Sequence, residues 1–258
     1  MTDRARGFAR EVAALREQAP LVHCLTNIVA AGFSANALLA LGASPAMVEN
    51  AEESAEFAGV AGAVLANLGT LSEERNRALR AAVRGAEHSG TPWVLDPVAV
   101  GALRHRTELA ADLVRSRPAV VRGNAAEVLA LAGNGGSGKG VESLAGSESA
   151  VDTARKFAGE NGCVVAVSGE VDYVTDGTET VAVPGGHPLM AKITGMGCAL
   201  GASTAALLAV TPDAPLSAAV TASQVFAEAG ERAGAAARGP GSFVVEFVDE
   251  LHAIGGDA

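Results

Sequence analysis

The stretch TGMGCALGAS, residues 194 to 203, places Thr194, Gly195, Met196 and Gly197 immediately before Cys198 and a run of small apolar residues. Glycines at Gly195 and Gly197 let the backbone adopt positive φ and approach a ligand closely. A helix opening at this point presents unpaired N–H groups and the positive end of its dipole, so the spacing predicts an anion hole. A cysteine at such a helix start is expected to have a depressed pKa and to be able to act as base or nucleophile. Taken without its neighbours, Cys198 reads as a small buried hydrophobe; the glycines on its N-terminal side turn the reading toward chemistry.

Other residues could join it. In PWVLDPVAVGA, Asp96 closes an apolar strand ahead of Pro97. A carboxylate there can hold hydrated magnesium over polyphosphate, or simply start a turn. In VVRGNAAEVLALAG, Asn124 and Glu127 stand three apart at a strand-to-helix junction, the pattern of a capping box. The functional reading makes Glu127 a second magnesium-linked carboxylate and Arg122 a phosphate ligand, and it is compatible with the cap. Ser168 and Gly169 end a strand in VSGEVDYVTDG, where they could touch nucleotide phosphates or form an ordinary strand exit. His23, Thr26, Asn27 and Asn36 are polar groups in a stretch nearly free of charge, which points to a ligand or a neighbouring subunit. By itself His23 reads as a satisfied core histidine, whereas His88, His105 and His252 read as surface residues. The segment GNGGSGKG at 133 to 140 nearly spells a phosphate-binding loop, but Gly140 lacks the required hydroxyl and the preceding residues read as a helix. It is read as a surface loop.

These residues need elements to position them. Short β-rich runs alternate with helical patterns: strand signals at 20–26, 63–69, 91–97, 118–123 and 163–169, with helices between them. The segment VDYVTDGTETVAV predicts a hairpin turning at Asp176 and Gly177, and the final third is helical. The implied architecture is a layered α/β fold with an open parallel sheet. Its strand carboxyl ends would gather Asn27, Asn67, Asp96 and Arg122 into one crevice. The run CALGASTAALLAV is apolar all round but too short to cross a bilayer, and predicts a buried core helix.

Composition narrows the function classes. A formal charge of −10 without a Lys/Arg cluster leaves no footprint for nucleic acid or an anionic membrane, so an anionic ligand must be held locally. Three widely spaced cysteines suggest neither a disulfide framework nor a zinc site, and the cytosol is the expected compartment. The N-terminus lacks an apolar signal core; Phe8, Val12 and Leu15 fall at helical spacing. The length of 258 residues and the absence of any linker or repeat predict one domain over residues 1–258.

With these residues assembled, the chain resembles the hydroxyethylthiazole kinase family of the ribokinase-like superfamily. The resemblance runs from about Pro20 to Phe247 and is carried by PLVHCLTN, ALGASPAMVE, TPWVLDPVAVGA, RGNAAEVLALAG, SGEVDYVTDG, TGMGCALGA and GPGSF. It implies a three-layer α/β fold with a mostly parallel central sheet flanked by helices. It also implies ATP-dependent phosphorylation of the hydroxyl of 4-methyl-5-(2-hydroxyethyl)thiazole with Mg2+, in thiamin salvage, by a homotrimer whose thiazole sites lie between subunits. By motif position, Met47, Gly195, Asn27 and Cys198 would meet the thiazole alcohol. Arg122, Ser168, Asn27 and Glu127 would meet ATP, and Asp96 and Glu127 would organise magnesium. Two positions depart from the family's habit: Ser168 stands where threonine is frequent, and Met196 where a small residue is. Rival readings are a kinase of another heterocyclic alcohol of the hydroxymethylpyrimidine type and a non-catalytic nucleotide or thiamin-precursor sensor. A dinucleotide oxidoreductase would want G-x-G-x-x-G after an early strand, and none follows LVHCLTN.

Overall fold

The computed structural model describes residues 8–133 and 146–254. The near phosphate-loop segment at 133 to 140 falls almost wholly outside them. Eight strands form one sheet in the order β2-β1-β3-β4-β5-β6-β7-β8: β1 (Leu21–Leu25), β2 (Ser44–Ala46), β3 (Ala63–Asn67), β4 (Trp93–Asp96), β5 (Val120–Asn124), β6 (Val164–Ser168), β7 (Val171–Thr175) and β8 (Thr180–Pro184). The pairs from β2 through β6 are parallel, whereas β6–β7 and β7–β8 are antiparallel. The hairpin at Asp176 and Gly177 thus joins β7 to β8 as its sequence indicates.

Helices cover both faces, which is why the inner strands read as continuous apolar runs rather than alternating ones. Every residue of β3 and of β4 is buried. On one face Val64, Ala66, Trp93 and Leu95 pack with residues of α3 (Ala51–Val60), α4 (Glu73–Ser89), α5 (Arg104–Val114), α6 (Ala125–Leu131) and α7 (Val151–Asn161). On the other, Leu65 and Val94 meet α1 (Ala9–Gln18), α2 (Ala31–Leu41), α8 (Met196–Val210), α9 (Pro215–Ala236) and α10 (Pro240–Ala253). The result is the expected three-layer arrangement.

Most elements lie where their patterns place them. Phe8, Val12 and Leu15 are buried along α1. Ser72 caps α4, and Asn124 with Glu127 forms a complete capping box on α6. Two elements are additions: β2, three residues at the sheet edge, and α3, capped by the Asn50 side chain, which accepts from Glu52 N at 2.7 Å. Helix α8 also begins earlier than its composition suggests, at Met196, with Gly195 as its N-cap at φ 87°. Twelve of its 15 residues are buried, the core helix expected from its apolar girth. Among the described residues, no helix is long and apolar enough to cross a membrane.

Candidate active site

The carboxyl ends of β4, β5 and β6 and the N-terminus of α8 open into one cavity of about 1180 Å³. That exceeds the usual range of about 300–1,000 Å³ for one small ligand, and suits a nucleotide together with a second, smaller molecule. Asp96, Arg122, Glu127, Ser168, Gly195, Gly197 and Cys198 all line it.

Asp96 is the last residue of β4 and 1% exposed. Asn67, in register beside it on β3, donates Nδ2 to Asp96 Oδ2 at 2.6 Å and accepts from Gly69 N at 2.9 Å. Helix α8 can pass over this carboxylate because Gly201 has no side chain; a Cβ there would sit 3.3 Å from Asp96 Oδ2. Burial raises the Asp96 carboxyl to about 7, against the opposing pull of the Arg122 guanidinium.

Arg122 is the hub. Its Nη2 donates to Ser168 Oγ at 2.7 Å, and Nη1 lies 4.0 Å from Asp96 Oδ2. The guanidinium rests against the first turn of α8, where a Cβ on Gly197 would fall 2.7 Å from Nη1. Gly197 is therefore needed for close approach, at an ordinary backbone angle. The positive φ falls on Gly195 instead, where a Cβ would meet the Ala30 Cβ at 2.8 Å. Gly195 consequently abuts the turn that follows β1 and carries Asn27.

The first turn of α8 carries amides that no helical carbonyl can reach. Ala199 N already bonds to Gly195 O at 2.8 Å, and Met196 N makes a long contact to Ile193 O at 3.5 Å. The amides of Gly197 and Cys198 are thus the ones available to an anion, beside the positive end of the dipole. Met196 itself is 8% exposed and joins the core cluster, so its bulk goes inward more than into the cavity.

Cys198 corrects an expectation. A helix N-terminus should lower its pKa, yet the thiol is raised from 9.0 to about 11. Desolvation is the largest cause, the Asp96 carboxylate adds to it, and the Asn67 hydrogen bond and Arg122 charge only partly oppose them. At neutral pH Cys198 is a thiol, not a thiolate. Cys24 and Cys163 are also free and buried.

Glu127 makes the cap and reaches a second loop as well. Oε2 accepts from Asn124 N and Oε1 from Ala99 N, each at 2.9 Å. The second bond holds Ala99 in a left-handed conformation, φ 61°, in the loop after Asp96. The carboxylate therefore ties the Asp96 loop to α6 while facing the cavity.

Two of the expected site residues stand apart from this cavity's lining. Asn27, at the end of β1, accepts from Thr70 Oγ1 at 2.5 Å, and Met47 follows β2, partly buried against the core. His23 is 0% exposed, with its ring Nε2 2.7 Å from Val48 O, but Nδ1 has no partner, so the core histidine is only half satisfied. His88, His105 and His252 are exposed as expected.

Sequence reasoning overlooked the far wall. Residues 185–193 form a strap, and α9 receives it through glycines: a Cβ on Gly230 would lie 2.5 Å from Met190 Sδ, and one on Gly234 would overlap the His187 ring. Asp172 and Ser223 also line the cavity, hydrogen-bonded to each other. The only local signal was the motif SGEVDYV, in which Asp172 stands four residues beyond Ser168.

Whether a divalent cation fits can be judged from charge and donors. Asp96, Glu127, Glu170 and Asp172 line the cavity with Arg122 as the opposing full charge. A polyphosphate would meet a net negative wall unless a cation accompanied it. Among the described residues, no group of three or more His, Cys, Asp or Glu could cage a metal. Asp96 and Glu127 are carboxylates of the kind through which magnesium, keeping its waters, binds alongside substrate phosphates.

The mostly parallel sheet layered between helices, with a helix terminus and carboxylates facing one cavity at its carboxyl edge, is that of a ribokinase-like phosphotransferase. A ribokinase-like superfamily protein from Enterococcus faecalis shares the fold with a TM-score of 0.66 at 13% identity, over 94% of this chain and 89% of that one. The hydroxyethylthiazole kinase of Pyrococcus horikoshii superposes with a TM-score of 0.88 at 40% identity, over 96% of this chain and 93% of that one. In sequence, the hydroxyethylthiazole kinase of Kineococcus radiotolerans is 54% identical over 98% of this chain and 92% of its own length. The model of the hydroxyethylthiazole kinase family matches residues 12–257, and the chain belongs to that family.

Proposed function

We propose that this kinase transfers the terminal phosphoryl group of ATP to the primary hydroxyl of 4-methyl-5-(2-hydroxyethyl)thiazole, as a single-domain cytoplasmic enzyme of thiamin salvage. The observation that carries the reading is the convergence, on one cavity, of Arg122, Ser168, Asp96, Glu127 and the free amides of Gly197 and Cys198.

Arg122 and Ser168 hold the nucleotide phosphates, and the amides of Gly197 and Cys198 receive the charge that spreads over the migrating phosphoryl oxygens. Asp96 and Glu127 would hold magnesium, which when bound neutralises phosphate charge. Cys198, at the head of the same helix, orients the alcohol. Phosphoryl transfer passes through a loose transition state with little bond formation to the acceptor, so positioning and charge neutralisation outweigh the base. A protonated thiol is adequate for that duty: it steers the hydroxyl, while the alcohol's proton passes to an oxygen of the transferred phosphoryl group as the new O–P bond forms and ADP leaves.

Met47, Asn27 and Gly195 bind the thiazole between subunits of a homotrimer. Support comes from the surface that carries these strand ends, where Ile28 is 67% and Val29 64% exposed, an apolar pair that one chain leaves uncovered. A coupled ADP-release assay with the thiazole alcohol, hydroxymethylpyrimidine and no acceptor, each with and without magnesium, tests the reading. Release that depends on the thiazole alcohol and on magnesium is expected. Binding of ATP without ADP release would identify a sensor, and preference for the pyrimidine would move the substrate.

A further inference from the structure

The turn between β6 and β7 carries Ser168, and it is gripped from two sides. From one side Ser147 Oγ donates to Val171 O at 2.5 Å and fills the space where a Cβ on Gly169 would stand. From the other, Asp172 accepts from Gly169 N through Oδ1 at 3.0 Å and from Ser223 Oγ on α9 through Oδ2 at 2.9 Å. Ser223 is 4% exposed, and both residues line the cavity that holds Arg122. A carboxylate in the wall of an anion site is an unfavourable choice unless it performs some service there, because it repels the incoming ligand and resists burial. Burial does push the Asp172 carboxyl up, while the Gly169 amide, the Arg122 charge and the Ser223 hydroxyl hold it back. A neutral side chain could have pinned the turn; this one also places a charge within electrostatic reach of Arg122.

We propose that Asp172, with Ser223, is a positioning residue for the nucleotide: it locks the β6–β7 turn to α9 and sets Ser168 and Arg122 in place before the phosphates arrive. The inference rests on the reading of Arg122 and Ser168 as the phosphate ligands. Two observations within the site bear it out. Ser168 Oγ is the acceptor for Arg122 Nη2, so a shift of the turn moves the guanidinium as well. Arg122 Nη1 also lies 4.0 Å from Asp96 Oδ2, so loss of the Asp172 charge changes the balance of carboxylates that acts on the guanidinium.

Steady-state kinetics and calorimetric titration with ADP test this on the full chain as Asp172→Ala, Asp172→Asn and Ser223→Ala. For Asp172→Ala we expect the KM for ATP and the Kd for ADP to rise about tenfold, within the ~100-fold that misplacement by an ångström can cost. We expect kcat to change less than about threefold and the KM for the thiazole alcohol to stay put, the mark of lost nucleotide binding rather than lost chemistry. Asp172→Asn keeps an acceptor for Gly169 and should recover part of the loss, and Ser223→Ala should show a smaller defect of the same kind. Unchanged nucleotide constants in the three variants would overturn the assignment. So would a parallel rise in both KM values with a fall in thermal stability, since that marks a scaffold residue. Should Asp172→Ala fail to fold, Asp172→Asn and Ser223→Ala decide the matter by the same readings. If the wild-type chain bound ADP but phosphorylated no thiazole alcohol, the catalytic reading would fall while the ADP titrations still judged Asp172.

Discussion

At the scale of the residue, Cys198 shows two opposed effects acting on one sulfur. The dipole at the start of α8 favours a thiolate, but its influence is worth about 0.3–1 kcal/mol in ordinary cases. Burial next to the Asp96 carboxylate outweighs it, and the thiol is raised to about 11. A group that stays protonated at neutral pH cannot be an obligate thiolate. Cys198→Ser should therefore lower turnover by no more than about 10²-fold, the low end for loss of a general base. Complete loss of turnover, with folding and nucleotide binding intact, would instead require thiolate chemistry. Asp96 titrates near neutrality for the same physical reason. Its folded pKa of about 7 exceeds the ordinary 3.8, so the folded state binds the proton more tightly than the unfolded chain does. The stabilisation this provides is complete below pH ~4 and disappears as pH rises through about 7. Without divalent cation, thermal melts of the wild type should fall between pH 5 and 8 relative to Asp96→Asn, whose curve lacks this component; parallel curves would contradict the assignment.

At the scale of the element, close packing through glycine decides where things can sit. Helices α3 and α4 approach so closely that a Cβ on Gly85 would overlap the Ala55 carbonyl. Gly85→Ala should destabilise by about 1–3 kcal/mol, the usual cost of overpacking, and lower Tm by roughly 2–12 °C while leaving turnover at low temperature unchanged. A melt identical to wild type would mean the helices separate freely. Much at this scale is readable from local pattern: the Asn124–Glu127 box, the Ser72 cap and the turn at Asp176 and Gly177 are contained within a few consecutive residues. Strand β2 is not readable, because three residues, one of them proline, carry no alternation. Helix α3 has a cap at Asn50 and acids in its first turn, but its buried residues are only the small Ser54 and Ala58, so its apolar period is thin.

At the scale of the whole molecule, Ile28 and Val29 are 67% and 64% exposed directly after Asn27, and Leu39 in the last turn of α2 is 60% exposed. In the proposed homotrimer these side chains are covered. Ile28→Glu combined with Val29→Glu should shift light scattering from trimer to smaller species and raise the KM for the thiazole alcohol more than that for ATP. An unaltered trimer would place the interface elsewhere. The charge of −10 acts on the same scale: it rules out a broad phosphate-attracting field and leaves anion capture to Arg122 and the α8 terminus.

Local order along the chain was enough to determine the alternation of strands and helices, the buried character of α8, the strand-end position of Asp96 and Ser168, and the glycines beside Cys198. These are consequences of side-chain period, capping chemistry and backbone freedom, which act between near neighbours. Tertiary structure alone decided that Asn67 bonds Asp96, that Gly197 makes room for Arg122, that Asp172 ties its turn to Ser223, and that Cys198 is a thiol. Each of these depends on desolvation or on contact between residues far apart in sequence, and neither exists until the layers have closed.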